Sequence, residues 1–252
     1  MKYSLIIGWL YPELMSTYGD RGNILVLQKR CEWRDISLTV MPITKETTFT
    51  QLRTIDILFG GGAQDLEQEI VMEDLRDKGP IIRGLIEGGK PALFVCGSPQ
   101  LMGKYYEPAE GKRIEGLGIF DMVSKHPGKN VPRCIGNIAA EVHLENVSSK
   151  VIIGFENHGG RTYLGEHAKP FAKVIKGNGN NGEDRTEGVL YKNAIGCYFH
   201  GPLLPKNPQI ADWIISRALR EKYHEDVVLS LLDDTLEKTA QKTIARKLGI
   251  RV

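Results

Sequence analysis

Two residues stand where a nucleophile and its base would be expected, Cys96 and His200. Cys96 closes the apolar run Pro91-Ala92-Leu93-Phe94-Val95 and is followed by Gly97-Ser98-Pro99-Gln100. This pattern predicts a buried strand, a sharp turn and a helix start. Such a turn holds the thiol at the sheet's carboxyl edge, where helix N-terminal amides converge. Gly97 removes side-chain bulk where a substrate carbonyl must approach, and its amide is placed to stabilise an oxyanion. His200 ends the apolar run Ala194-Ile195-Gly196-Cys197-Tyr198-Phe199 and precedes Gly201. An imidazole at a strand end is placed to reach a thiol presented by a neighbouring strand. The competing reading is a core thiol, the usual fate of a free cysteine. That reading is applied to Cys31 and Cys197, and Cys134 is left undecided. V-C-G-S-P falls short of a full G-x-C-x-G elbow, so spacing alone leaves both readings of Cys96 open.

Gly60-Gly61-Gly62 follows the apolar run Ile55 to Phe59. Glycines there permit a tight strand-to-helix turn. Three unhindered amides at the same sheet edge as Cys96 could also supply a second oxyanion donor. No G-K-[ST] follows, which disfavours a nucleotide site. Among the histidines, His126, His143, His167 and His224 lie in polar surroundings and read as solvent-exposed. His158 lies in the polar turn Glu156-Asn157-His158-Gly159-Gly160-Arg161.

The charge balance of 33 basic against 31 acidic residues gives no case for nucleic acid or an acidic membrane as main partner. No stretch approaches the roughly 18 apolar residues of a membrane helix, and the amino terminus is too short and weakly basic for a signal peptide. A cytoplasmic location is expected. The four cysteines form no C-x-x-C and no zinc spacing, so no metal site is expected.

The elements that must position these groups read as strands Ser4 to Leu10, Ser37 to Pro42, Ile55 to Phe59 and the run into Cys96. Between them fall a helix from Ile24 to Arg34, one from Gln64 to about Lys78, and one opened by Pro80 and closed by Gly88-Gly89. Alternating strands and helices with continuous apolar strands predict an α/β fold, a mostly parallel central sheet flanked by helices. After Gly116 come short strand-like runs: Gly116 to Phe120, Ile135 to Leu144, Val151 to Glu156, Phe171 to Ile175, Gly188 to Tyr191 and Ala194 to Phe199. Lys192-Asn193 reads as a hairpin turn. This half is expected to be largely antiparallel and to continue the sheet. Lys176 to Arg185 (KGNGNNGEDR) is expected to be a mobile surface loop. A helix from Pro208 to Tyr223 and a helical tail from Val227 to Leu248 complete the chain. The expected organisation is a main domain, 1–222, and a C-terminal helical tail, 223–252.

The triple glycine with its following acid, the strand ending in Cys96-Gly97, and Tyr198-Phe199-His200-Gly201-Pro202 resemble class I glutamine amidotransferases of the cobyric-acid-synthase-like branch (CobB/CobQ). Two further strings, Phe155-Glu156-Asn157-His158-Gly159-Gly160-Arg161-Thr162-Tyr163 and His200-Gly201-Pro202-Leu203-Leu204-Pro205-Lys206-Asn207, are more specific. They resemble the glutaminase subunits of lipid II isoglutaminyl synthases, a resemblance running from the first strand to about residue 222.

The resemblance implies a flavodoxin-like amidotransferase architecture and hydrolysis of L-glutamine to glutamate and ammonia. It implies Cys96 as the nucleophile forming a glutamyl thioester, His200 as its base, and Gly62 and Gly97 as oxyanion-hole amides. Arg133 aligns with the arginine that binds glutamine, a guanidinium being well shaped to grip an α-carboxylate. It further implies a heterodimer with a Mur-ligase-like partner that uses ATP and Mg to amidate the D-glutamate of the peptidoglycan stem peptide. No cofactor is then expected in this chain. One position departs from the pattern. Where most class I members carry a glutamate two residues after the histidine, this chain has Pro202. Either Cys96 and His200 form a dyad or the acid comes from elsewhere; the partner is the expected source, and the sequence does not place Asp20 or Glu156, two acids of this chain that could approach the site. The alternatives are another acceptor, such as a corrinoid, and a non-catalytic scaffold, which retention of both Cys96 and His200 disfavours.

Overall fold

The computed structural model describes residues 2–128 and 130–250. Strand β1 (Tyr3–Leu10) leads through a 3-10 turn (Thr17–Gly19) to helix α1 (Arg21–Glu32), then β2 (Ile36–Ile43) and the short α2 (Phe49–Leu52). Next come β3 (Ile57–Gly60), α3 (Asp65–Glu87), β4 (Ala92–Val95) and α4 (Gly97–Met102). The middle of the chain forms β5 (Tyr105–Glu107), β6 (Ile114–Glu115), β7 (Met122–Lys125), β8 (Cys134–Val142), β9 (Val151–His158), β10 (Arg161–Leu164), β11 (Ala172–Lys176) and β12 (Thr186–Glu187). It closes with β13 (Val189–Tyr191), β14 (Ala194–Cys197), α5 (Pro208–Tyr223) and α6 (Thr235–Leu248).

The central sheet runs β2-β1-β3-β4-β14-β13, parallel except for the antiparallel edge strand β13. The strands are apolar on both faces because both are covered. Leu93 and Val95 of β4 point into a core shared with α1 and α5, while Ala92 and Phe94 point into one shared with α3. Parallel strands all deliver their carboxyl ends to one edge, so the residues after Leu10, Gly60, Val95 and Cys197 gather there.

Several expectations are corrected. Only the β13–β14 hairpin continues the central sheet; the other late strands form two separate four-stranded sheets, β10-β7-β5-β6 and β12-β11-β8-β9. Gly116 to Phe120 is not a strand; the short β6 lies just before it. The helix expected to break at Pro80 is continuous from Asp65 to Glu87. Proline costs one backbone hydrogen bond there, but Val71, Leu75, Ile82 and Ile86 form one buried stripe spanning it, and that shared burial keeps both halves in line. The tail is helical only from Thr235. Before it, Arg34 Nε binds the Ser230 carbonyl, Arg30 grips Asp212 and Asp234, and Asp233 caps the Thr235 amide at 3.0 Å. These contacts take the polar groups that a longer helix would need.

The Gly/Asn-rich stretch is also not a free excursion. Asn178 N and Nδ2 and Gly179 N donate to the buried Glu156 carboxylate at 2.7–2.9 Å. Burial pushes the Glu156 pKa up, but hydrogen bonds from His158, Asn178 and Gly179 overcome it and hold it below the ordinary range. Gly179 (φ +69°) permits the turn, and a Cβ there would lie 2.3 Å from the Thr186 carbonyl. No helix of the described residues is long and apolar enough to cross a membrane.

Candidate active site

Cys96 sits between β4 and α4 at φ +57°, ψ −99°, in a region that side chains other than glycine rarely adopt. Its amide donates to the Cys197 carbonyl at 2.8 Å, so β14 holds the turn in place. Strain at such a position costs on the order of 1–3 kcal/mol, and here it presents the thiol to a cavity of about 400 Å³. The neighbouring Ser98 Oγ donates to the Gly61 carbonyl at 2.5 Å, tying the elbow to the glycine run.

His200 lies three residues beyond β14. Its backbone exchanges hydrogen bonds with Phe155 of β9, at 2.6 and 3.3 Å, which fixes the ring from the other side. Its Nδ1 lies 3.2 Å from Asp20 Oδ1, both side chains being 0% exposed. The other nitrogen, Nε2, is buried without a hydrogen-bond partner, and Cys96 is a neighbouring group that acts strongly on the ring. Burial alone disfavours charge on this imidazole. Its interactions with Cys96 and with the Asp20 carboxylate outweigh that and raise its pKa to about 10. Tyr18 closes over the ring edge-on, with centroids 4.9 Å apart.

An acid of this chain, Asp20, thus stands against the imidazole at the place where the expectation put an acid from a partner. Asp20 stands just before α1, at the carboxyl edge reached from β1. Its second oxygen accepts the Gly62 amide at 2.7 Å. Gly62 was expected to offer that amide to an oxyanion; it is instead spent holding the acid. The nearby Ala63 amide makes no hydrogen bond among the described residues, and it would lie 2.9 Å from a Cβ on Gly97. The Ala63 amide thus lies close beside Gly97, the residue that follows Cys96. Each glycine of the run answers to a close approach: a Cβ on Gly60 would meet Ser98 Oγ, on Gly61 the Met15 carbonyl, and on Gly62 Thr17 Oγ1. Pro202, at the position of the missing glutamate, packs on Gly22 in the first turn of α1, where a Cβ would lie 2.4 Å from it.

The same cavity is lined by Arg133, as the sequence suggested, and by Gln68, Gln100, His126 and His158, which spacing did not single out. Arg133 Nε and Nη2 donate to the Oδ1 and carbonyl of Asn157, at 3.1 and 3.2 Å. Gln68 Nε2 donates to Gln100 Oε1, and Gln100 Nε2 to the Tyr198 hydroxyl, a buried polar chain under the cavity floor. His158 stacks on Tyr198 at 4.0 Å. Cys31, Cys134 and Cys197 are buried away from it, and burial pushes the pKa of each upward. His143, His167 and His224 are exposed, as expected.

Residues 6–208 match the model of the CobB/CobQ-like glutamine amidotransferase domain. The chain belongs to that family. Among relatives, the chain is 42% identical over 236 residues to the GatD subunit of the glutamine-hydrolysing lipid II isoglutaminyl synthase of Streptococcus pneumoniae (strain ATCC BAA-255 / R6), covering 94% of this chain and 88% of that protein. It is 37% identical over 220 residues to the same-named subunit of Staphylococcus aureus (strain N315), covering 87% and 86%. In fold it is similar to a glutamine amidotransferase crystal structure at a TM-score of 0.56 and 15% identity, covering 84% of this chain and 98% of that one. As a member of this amidotransferase family, the chain has the α/β architecture expected from its strand pattern.

Proposed function

We propose that this amidotransferase is the glutaminase subunit of a lipid II isoglutaminyl synthase, hydrolysing L-glutamine through a Cys96 thioester. The observation that carries the reading is the convergence of Cys96, His200 and Asp20 at one sheet edge, in a chain whose relatives bear that name. Cys96 Sγ gives its proton to His200 and attacks the substrate's carboxamide carbon while the Gly97 and Ala63 amides receive the developing oxyanion. The C–N bond breaks as His200 hands its proton to the departing ammonia. Water then attacks the thioester, giving up a proton to His200, and glutamate leaves with the thiol restored. Asp20 holds the imidazole in the orientation and charge state this needs. Arg133 grips the substrate's α-carboxylate.

The unit doing this is residues 1–222, with 223–252 an appended tail that carries the helix Thr235–Leu248. Ammonia passes to a Mur-ligase-like partner subunit, which uses ATP and Mg to amidate the D-glutamate of the stem peptide; this chain needs no cofactor of its own. Glutamine labelled with ¹⁵N in its amide, given with ATP, lipid-linked stem peptide and the partner, should place the label on that D-glutamate. Label appearing on a corrinoid, or on no acceptor while the partner is active with free ammonia, would overturn the assignment.

A further inference from the structure

Strand β9 is the outer strand of its sheet, and β8 takes one of its two edges. The other edge is filled, residue by residue, by the chain that follows the active site. At Phe155 the backbone of His200 exchanges two hydrogen bonds with the strand. At Ile153, two residues back on the same edge, the side chain of Asn207 takes the place of a neighbouring strand. Its Oδ1 accepts the Ile153 amide at 2.9 Å, and its Nδ2 donates to the Ile153 carbonyl at 2.8 Å. At Val151 the carbonyl accepts Gln209 Nε2 of α5 at 3.3 Å and Gln241 Nε2 of α6 at 3.2 Å. His200, Asn207 and the tail helix are thus mounted in order on one edge.

Asn207 joins these positions. Its Nδ2 also donates to the Leu203 carbonyl at 2.7 Å, in the turn that leads away from His200. Its Oδ1 also accepts Gln241 Nε2 at 3.2 Å. A carboxamide has two N–H groups and two lone pairs, and here all four are used by a residue that is 0% exposed. The result is a closed ring. It runs along the chain from His200 to Asn207, through the carboxamide to Ile153, along β9 to Phe155, and across the backbone bridge to His200 again. The ring restrains the imidazole where the turn itself does little, since Gly201 sits at φ +74° and Pro202 has no amide to donate. The bond from α6 completes the set and keeps the carboxamide from tilting.

We infer that Asn207 is a positioning residue for His200, and that helix α6 takes part in the reaction by holding Asn207 through Gln241. This rests on the reading of His200 as the base of glutamine hydrolysis, and it gives the tail a role beyond packing. Two side chains of α6 are buried, Gln241 and Ala245. Ala245 packs with Ala139 and Ile153, and Ile244 and Leu248 lie against the same cluster. An apolar residue at 241 would suit such a face. The glutamine is there to meet two buried acceptors, the Val151 carbonyl and Asn207 Oδ1.

The test is glutamine hydrolysis by full-length variants, with kcat expressed per site labelled by 6-diazo-5-oxo-norleucine so that misfolded chain does not count. Gln241→Met keeps the length and loses the N–H, and Asn207→Leu keeps the volume and loses the carboxamide. Ile244→Ala loosens α6 on β8 and β9 and leaves both hydrogen-bonding side chains in place. The brace predicts that kcat falls about thirtyfold in Asn207→Leu and about fivefold in Gln241→Met, the scale of one neutral hydrogen bond, with KM within about twofold. The double variant should be no slower than Asn207→Leu alone, because Gln241 acts through Asn207. Ile244→Ala should keep kcat within about twofold. Unchanged kcat in Gln241→Met, a rise in KM at constant kcat, an equal fall in Ile244→Ala, or a double variant slower still would overturn the inference. If Asn207→Leu does not fold, Gln241→Met and Ile244→Ala decide between them. A wild-type chain that hydrolyses no glutamine, with or without its partner, would instead sink the glutaminase reading itself.

Discussion

The two walls of the Cys96 cavity are built to different standards. On the central-sheet side, Asp20 and His200 are sealed from solvent and Cys96 is half-buried, and each is fixed by hydrogen bonds from at least one other element. On the side of the small sheets, Arg133 is exposed and His126 half-buried, each on a segment that joins strands. The first wall places reacting atoms, where a small displacement is costly, and it draws on parallel strands whose ends are locked in register. The second wall meets a substrate's charged end, where solvent access lets the molecule enter. Substitutions should therefore act on kcat at the first wall and on KM at the second.

The largest expected effect is at His200. His200→Asn should lower kcat about 10³-fold with little change in KM, read from glutamine saturation curves. A tenfold rise in KM at constant kcat would place His200 on the binding wall and break the distinction. Next comes Asp20→Asn, expected to cost about 10²-fold in kcat. Because the Asp20 carboxylate helps raise the His200 pKa to about 10, its loss should also move the alkaline limb of the rate profile to lower pH. An unmoved limb would mean that Asp20 does not act through His200. Since the acid belongs to this chain, the isolated chain should also turn over glutamine without a partner.

Burial behind the site carries a cost, and Glu187 of β12, bonded to the Tyr198 amide, is where to measure it. Its Oε1 accepts the Tyr198 amide at 2.7 Å while Oε2 is sealed without a partner. Burial is the main reason its pKa rises to about 8, the Glu156 charge adding to it and the His200 charge opposing it. A carboxyl with a raised folded-state pKa stabilises fully below its unfolded value of about 4.5, and that contribution is lost as pH climbs to about 8. Relative to Glu187→Gln, the wild type should lose about 4 kcal/mol of unfolding free energy across that window. Parallel denaturation curves at pH 5 and pH 8.5 check it; a constant difference would mean that the carboxyl is not sealed. The smallest effect is at Arg133. Arg133→Lys keeps the charge but not the fork, and should raise KM about tenfold with kcat and thermal stability unchanged.

The first wall was partly legible before its folding was known. The run into Cys96 and the run into His200 are continuous apolar strands, and parallel strands of that kind must bring their ends to one edge. The Asp20 contact was not legible, because it joins positions 180 residues apart and depends on how the turn after β1 closes against Gly60–Gly62. The one hint was an acid in a turn-rich string, Tyr18-Gly19-Asp20-Arg21-Gly22, leading out of the first strand. The glycine run was read as a source of amides; its main service is to let that turn approach. The second wall was far less legible. The strands β5, β7 and β10 are three or four residues long and show no usable alternation, so His126 had no predicted element to place it. The 176–185 loop hides its structure for a related reason: glycine and asparagine favour mobile loops by composition, but here the amides of Asn178 and Gly179 are spent on Glu156.

The central claim is that Cys96 is a nucleophile presented to glutamine. Treatment of the chain with the glutamine-like electrophile 6-diazo-5-oxo-norleucine, followed by peptide mass mapping, tests it most directly. A single adduct on the peptide containing Cys96, blocked by excess glutamine and absent from Cys96→Ala, is the predicted result. Labelling at another cysteine instead, or undiminished glutamine hydrolysis by Cys96→Ala, would contradict it.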